Sequence, residues 1–230
     1  MAEIIKKLGD FWHWLWNSES IWSYIIFLIL LFVIIKFIFL PGLSFVFGMG
    51  FNGLPLAIVE SSSMDHNSLR ACQSYDSQMN CLRETSYYEI CGNQLNKSIF
   101  LNKENYWQTC GSWYDKNTNV TKEDFSLFRF SNGFRKGDII IIFGKKNPEI
   151  GDVIIFRAGT GNPIIHRVIS LNPLETKGDH NAEQLNGNNN FYRTDETNIQ
   201  KEQIIGVAVA RIPYIGWIKL AIVELYRKIF

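Results

Sequence analysis

Residues 136–171 read KGDIIIIFGKKNPEIGDVIIFRAGTGNPIIHRVISL, and this stretch decides the fold class. It holds two similar runs, KGDIIIIFG at 136–144 and IGDVIIFR at 150–157, each a Gly-Asp turn opening a branched apolar segment. PIIHRVISL at 163–171 continues the texture, and QIIGVAVARI at 203–212 repeats it. Short Ile- and Val-rich runs between turn residues predict strands, so the region after residue 130 reads as antiparallel β with little helix. Upstream, LPLAIVE at 54–60 predicts one more strand, which delivers Ser61, Ser62, Ser63 and Met64 at its end.

Toward the N-terminus the pattern is different. Residues 21–40, IWSYIIFLILLFVIIKFIFL, carry Lys36 as their only charge. Twenty helical residues at about 1.5 Å each cover roughly the 30 Å of a bilayer's hydrocarbon, which predicts a transmembrane helix over 21–41, stopped by Pro41-Gly42. The run is longer than the apolar part of a cleaved signal peptide and has no small-residue cleavage site after it. Ile4, Ile5, Leu8, Phe11, Trp12, Leu15 and Trp16 recur at helical spacing, so residues 1–20 read as an amphipathic segment at the membrane interface, with Asn17, Ser18 or Ser20 capping the next helix. Lys6 and Lys7 precede the span and no Lys or Arg occurs over 41–59, which places the N-terminus in the cytoplasm and the rest outside a cell membrane crossed once. Membrane lipid is thus an expected partner.

Residues 67–130 read as an inserted subdomain. They are polar and hold all four cysteines, Cys72, Cys81, Cys91 and Cys110, widely spaced with no CxxC, which suits disulfides in an oxidising compartment better than zinc. Two bridges have three possible pairings. Asn96-Lys97-Ser98 and Asn119-Val120-Thr121 are acceptor sequons for a glycan. The C-terminal stretch 217–230 is apolar at helical spacing and ends basic, predicting an amphipathic helix that either rests on the membrane or packs on the domain, with fewer apolar residues than a span usually has. The organisation expected is therefore mainly β: an N-terminal transmembrane helix, then a β-rich domain from 42–66 and 131–220, interrupted by the cysteine-containing insertion. A net charge of +1 with scattered Lys and Arg excludes an electrostatic footprint for nucleic acid, and 14% aromatic content argues against disorder.

Three residues stand where chemistry is expected. Ser63 lies where a strand ends and backbone amides are free, and a serine hydroxyl becomes a nucleophile when a base takes its proton. His166 is the only histidine inside an expected strand, with His66 as its rival. Asp179, in KGDHN, is the acid expected to hold the imidazole. No cluster of metal ligands is visible, so neither a metal nor a cofactor is expected.

In order, Ser-Ser-Ser-Met, Gly-Asp-Val-Ile-Ile-Phe, Ile-Ile-His-Arg-Val, Thr-Lys-Gly-Asp-His-Asn and Arg-Ile-Pro-Tyr-Ile-Gly-Trp resemble the boxes of signal peptidase I, in its archaeal and endoplasmic reticulum branch with histidine in place of a catalytic lysine. The resemblance covers about residues 21–66 and 131–220. It implies a membrane-bound serine endopeptidase (a hydrolase) for signal peptide processing in protein secretion, with Ser63 as nucleophile, His166 as general base and Asp179 as third member. Ser61 then matches an oxyanion donor. The implied substrates are preprotein signal peptides with small residues before the cut, and the protein export machinery is a candidate partner. Ser62 and His66 depart from the usual Gly and Pro. Relatives often carry a second Asp where this chain has Leu185; Glu183 and Asp195 are nearby acids, with Asp195 held in reserve. A Ser-Lys peptidase would need lysine at position 166, and Lys177 belongs to another box. The alternative function is a non-catalytic anchored binding module on the same scaffold. The insertion is expected to cap the site and select substrates.

Overall fold

The computed structural model describes residues 2–49, 53–75, 81–144, 147–159, 161, 163–187 and 193–229. It divides into two compact units, Met1–Leu54 and Pro55–Phe230.

In the first unit, α1 (Ala2–Asn17) exposes Ile4, Ile5, Leu8, Trp12 and Trp16 and buries Leu15. Ser20 caps α2 (Ile21–Ile34) by accepting from the Trp22 amide at 3.3 Å. A π-helical turn at Ile35–Phe39 leads into α3 (Leu40–Val46), giving a continuous 26-residue helix, Ile21–Val46, long and apolar enough to cross a membrane. The helix passes through Pro41-Gly42 instead of stopping there. Proline lacks an amide and its ring crowds the preceding turn, and the wider turn just before it makes room, with the Leu40 amide bonding back five residues to Ile35 O. The true stop is Gly48 at φ 68°, where Gly48 N bonds Phe45 O at 3.0 Å and Met49 N bonds Ser44 O at 2.9 Å, the paired closure that a left-handed residue permits.

The second unit is built on a six-stranded sheet of β1 (Leu56–Ile58), β5 (Ile139–Phe143), β9 (Ile204–Ile212), β6 (Val153–Arg157), β7 (Pro163–Leu171) and β8 (Leu174–Lys177), in that spatial order. Every pairing is antiparallel. Each run read as a strand forms one. β8, LETK, lacked the branched apolar texture and went unread; it exists because Thr176 and Lys177 pair with β7. Ile154, Phe156, Ile164, Val168, Ile204 and Val207 form the core on one face, each large apolar side chain contributing roughly 1.5–3 kcal/mol on burial.

The insertion has a fold of its own. A three-stranded antiparallel sheet, β2 (Leu69–Tyr75), β3 (Cys81–Ile90) and β4 (Asn93–Leu95), precedes α4 (Tyr106–Asn117) and α5 (Lys122–Leu127). Cys72 pairs with Cys81 and Cys91 with Cys110. Thr121 caps α5 reciprocally with Asp124. The insertion's core of Ile90, Tyr106, Cys110, Tyr114 and Phe125 includes Ile169 of β7, so it packs on the sheet face opposite the Ile164 and Val168 side. α6 (Trp217–Ile229) closes the chain.

Candidate active site

β1 ends beside the first Gly-Asp turn, where Val59 N donates to Asp138 O and Gly137 N to Val59 O, at 2.9 and 2.8 Å. The next residues turn, with Asp65 N bonded to Ser62 O at 2.9 Å. Met64 is driven into the interior, where its backbone oxygen accepts from Phe134 N at 2.8 Å and its sulfur accepts from Asp179 N at 3.4 Å. Its neighbour Ser63 is left half-buried. The Ser61 and Ser63 hydroxyl oxygens are 3.3 Å apart, so either can donate to the other.

β8 delivers the loop 178–181, and His180 N bonds Ser63 O at 2.8 Å. Gly178 lies at the closest approach. A Cβ there would stand 2.7 Å from Ser63 O, 2.8 Å from His166 Nε2 and 2.7 Å from Asn181 Nδ2. The Ser63 segment and the imidazole thus border one point, kept open by the missing side chain. Gly178→Ala is expected to lower the turnover of whatever reaction this pair performs by about 100-fold, because displacing a reacting group by about 1 Å has that effect. Initial rates on folded variant protein test this, and wild-type turnover would mean the close approach is unimportant.

His166 sits mid-strand, paired with Ile154 of β6, and is 2% exposed. Alternation along β7 puts Ile164, His166 and Val168 on one face and Ile165, Arg167 and Ile169 on the other. The His166 ring meets Phe156 edge-on at 6.5 Å, and its Nδ1 hydrogen-bonds the Glu196 carboxylate.

Asp179 was expected to hold His166, but its side chain lies on the Arg167 side of the strand. Its carboxylate accepts from Arg167 Nε at 2.9 Å, Arg167 Nη2 at 2.6 Å and His66 Nε2 at 3.0 Å. Burial alone would raise this carboxyl; Arg167 and His66 beside it hold it well below the usual range. Arg167 also donates to the backbone oxygens of Arg129, Phe130 and Gly151, each at 3.0 Å, and stacks over Phe125 at 5.1 Å. His66 is engaged at both ring nitrogens, with Leu101 O at 3.1 Å as the other partner.

The other acids separate clearly. Asp195 is exposed and accepts from Thr197 N at 2.9 Å and Thr197 Oγ1 at 2.6 Å. Glu183 accepts from Trp113 Nε1 at 3.4 Å. Glu196, which sequence reading passed over for its neighbour, points inward. Lys177 donates to Asn181 O at 2.6 Å and Gly178 O at 3.1 Å, with its ammonium over the Trp113 and Tyr114 rings of the insertion. Burial pushes it down to about 8. Among the described residues no group of three or more His, Cys, Asp and Glu is placed to hold a metal ion.

The half-buried Ser63 and the strand-borne His166 imidazole thus border the same glycine, the serine through its backbone oxygen. The chain is similar to the signal peptidase complex catalytic subunit SEC11 of Pyricularia oryzae, 28% identical over 101 residues, of Candida tropicalis, 29% over 99, and of Debaryomyces hansenii, 32% over 101. These matches cover 40% of this chain and 57–59% of those proteins, so the chain spans less than two thirds of the length of the curated relatives it matches. The likeness to endoplasmic reticulum-type signal peptidase drawn from the boxes therefore extends to aligned sequence. No family model and no solved structure matches the chain.

Proposed function

We propose that this chain is a membrane-anchored signal peptidase in which Ser63 is the nucleophile and His166 the general base. What carries the reading is the approach of the Ser63 segment and His166 Nε2 to one point over Gly178. With Nδ1 engaged by a carboxylate, Nε2 keeps its lone pair for the Ser63 proton. Ser63 Oγ attacks the scissile carbonyl, the Ser63 amide and the Ser61 hydroxyl receive the oxyanion, and the imidazolium returns its proton to the leaving amine. Water activated by the same nitrogen then releases the acyl group. The helix Ile21–Val46 holds the enzyme beside substrates whose own apolar segment is still in the bilayer, which raises effective concentration without new contacts. The proposed orientation leaves the N-terminus in the cytoplasm and the catalytic unit outside, in contact with signal peptides that end in small residues.

The test is to reconstitute the full chain in liposomes with a preprotein and to sequence the N-terminus of the product. A single cut after the small-residue motif is expected. If the preprotein stays intact, the enzyme reading fails and an anchored binding module is the better account.

A further inference from the structure

The buried carboxylate that faces His166 is held by a set of partners that leaves it one task. Glu196 is fully buried. Its Oε1 accepts from Thr176 Oγ1 at 2.8 Å as well as from His166 Nδ1, and its Oε2 accepts from Leu185 N at 2.7 Å. The backbone around it is fixed too, with Glu196 N bonded to Leu185 O at 2.8 Å and Thr176 N to Glu196 O at 2.9 Å. Among the described residues, no Lys or Arg lies within ion-pair distance of it: Arg167 is taken by Asp179 on the opposite face of β7, and the buried Lys177 ammonium, whose charged form Glu196 favours from farther off, donates to the Asn181 and Gly178 oxygens. With two neutral donors and one imidazole in direct contact, this carboxylate gains a touching counter-charge when that imidazole becomes protonated.

We infer that Glu196 is the positioning acid of the site, fixing the His166 ring with its proton on Nδ1 and balancing the imidazolium formed during acyl transfer. This rests on the Ser63–His166 reading and assigns the third role to a residue one position beyond Asp195 and on a different segment from Asp179. The chemical reason is direct: a carboxylate accepts at Nδ1 and so leaves Nε2 free as the base, whereas an amide in the same place can donate to Nδ1 and move the ring proton to Nε2. In the second arrangement Ser63 has no base.

Glu196→Gln, compared with Glu196→Asp and wild type in the reconstituted full chain, tests this. The expected result for Glu196→Gln is a fall in kcat of about 1,000-fold or more with KM within about twofold of wild type, since only the reacting geometry is lost. Glu196→Asp should recover part of the rate. Nitrogen NMR of His166 should show the ring proton on Nδ1 in wild type and on Nε2 in Glu196→Gln, a readout that a purely structural role would not move and that needs no substrate. Unchanged kcat with the ring proton still on Nδ1 in Glu196→Gln would overturn the role of Glu196 while leaving wild-type cleavage intact. A wild type that never cleaves would instead overturn the reading of Ser63 and His166, and the NMR would still report the contact.

Discussion

Ser63→Ala is expected to lower kcat on a preprotein by about 10,000-fold or more, with KM little changed and the thermal midpoint preserved. Among the described residues the Ser63 hydroxyl has one hydrogen-bond partner, Ser61, and the side chain is half-buried, so removing its oxygen leaves no unpaired buried group there and no cavity to destabilise the fold. The loss should therefore be chemical. On the proposed reading Ser63 and His166 act as one unit, so His166→Ala should cost a similar factor and the double variant should be about as slow as either alone. Rates that multiply in the double variant would mean the two residues act separately. A Ser63→Ala enzyme that still cuts at the same bond would remove the nucleophile assignment altogether.

Asp179→Ala is expected to lower the stability of the second unit by about 3–5 kcal/mol, since it leaves the buried Arg167 guanidinium without its counter-charge. Both side chains of this pair are wholly inaccessible to solvent, so water cannot replace the lost carboxylate. His66 loses the partner of its Nε2 at the same time. The pH dependence follows from the depressed carboxyl. A group whose folded value lies below its unfolded value, about 3.9 for Asp, contributes stability above that value and loses it as pH falls further. Denaturant midpoints should therefore fall between wild type and Asp179→Ala at pH 7, and this difference should shrink below about pH 4. A variant within about 1 kcal/mol of wild type at pH 7 would show that the pair contributes little.

The sheet was legible because its strands alternate little and are bounded by Gly-Asp turns, a texture that survives in sequence without knowledge of pairing. The helix end was misread for a local reason. Proline usually stops a helix, and nothing in IKFIF announces the wider turn that lets Pro41 pass. Ser63 and His166 could be singled out in sequence because each stands at a position defined by a strand. The carboxylate that touches His166 could not, since choosing among Asp179, Glu183, Asp195 and Glu196 depends on which side of β7 each faces, and residues in irregular segments carry no such periodicity. Leu185 makes the point well: it stands where relatives often carry an acid, and here its amide binds a carboxylate that arrives from a later segment.

The insertion was expected over the site, as a cap, but its packing gives it another consequence. Tyr106 donates to Asp179 O at 2.6 Å, Cys91 N donates to His180 O at 2.9 Å, and the His66, Tyr106 and Phe125 rings stack at 4.3 and 4.6 Å. The loop that meets Ser63 thus leans on a wall closed by the Cys91–Cys110 bond. Excising residues 67–130 would remove that wall, so the proposed cleavage is expected to be lost before any change in substrate preference appeared. The buttress and the staple are therefore one device: Cys91, whose amide grips His180, is itself tied to Cys110 of α4, so the covalent bond of the insertion bears directly on the segment beside Ser63.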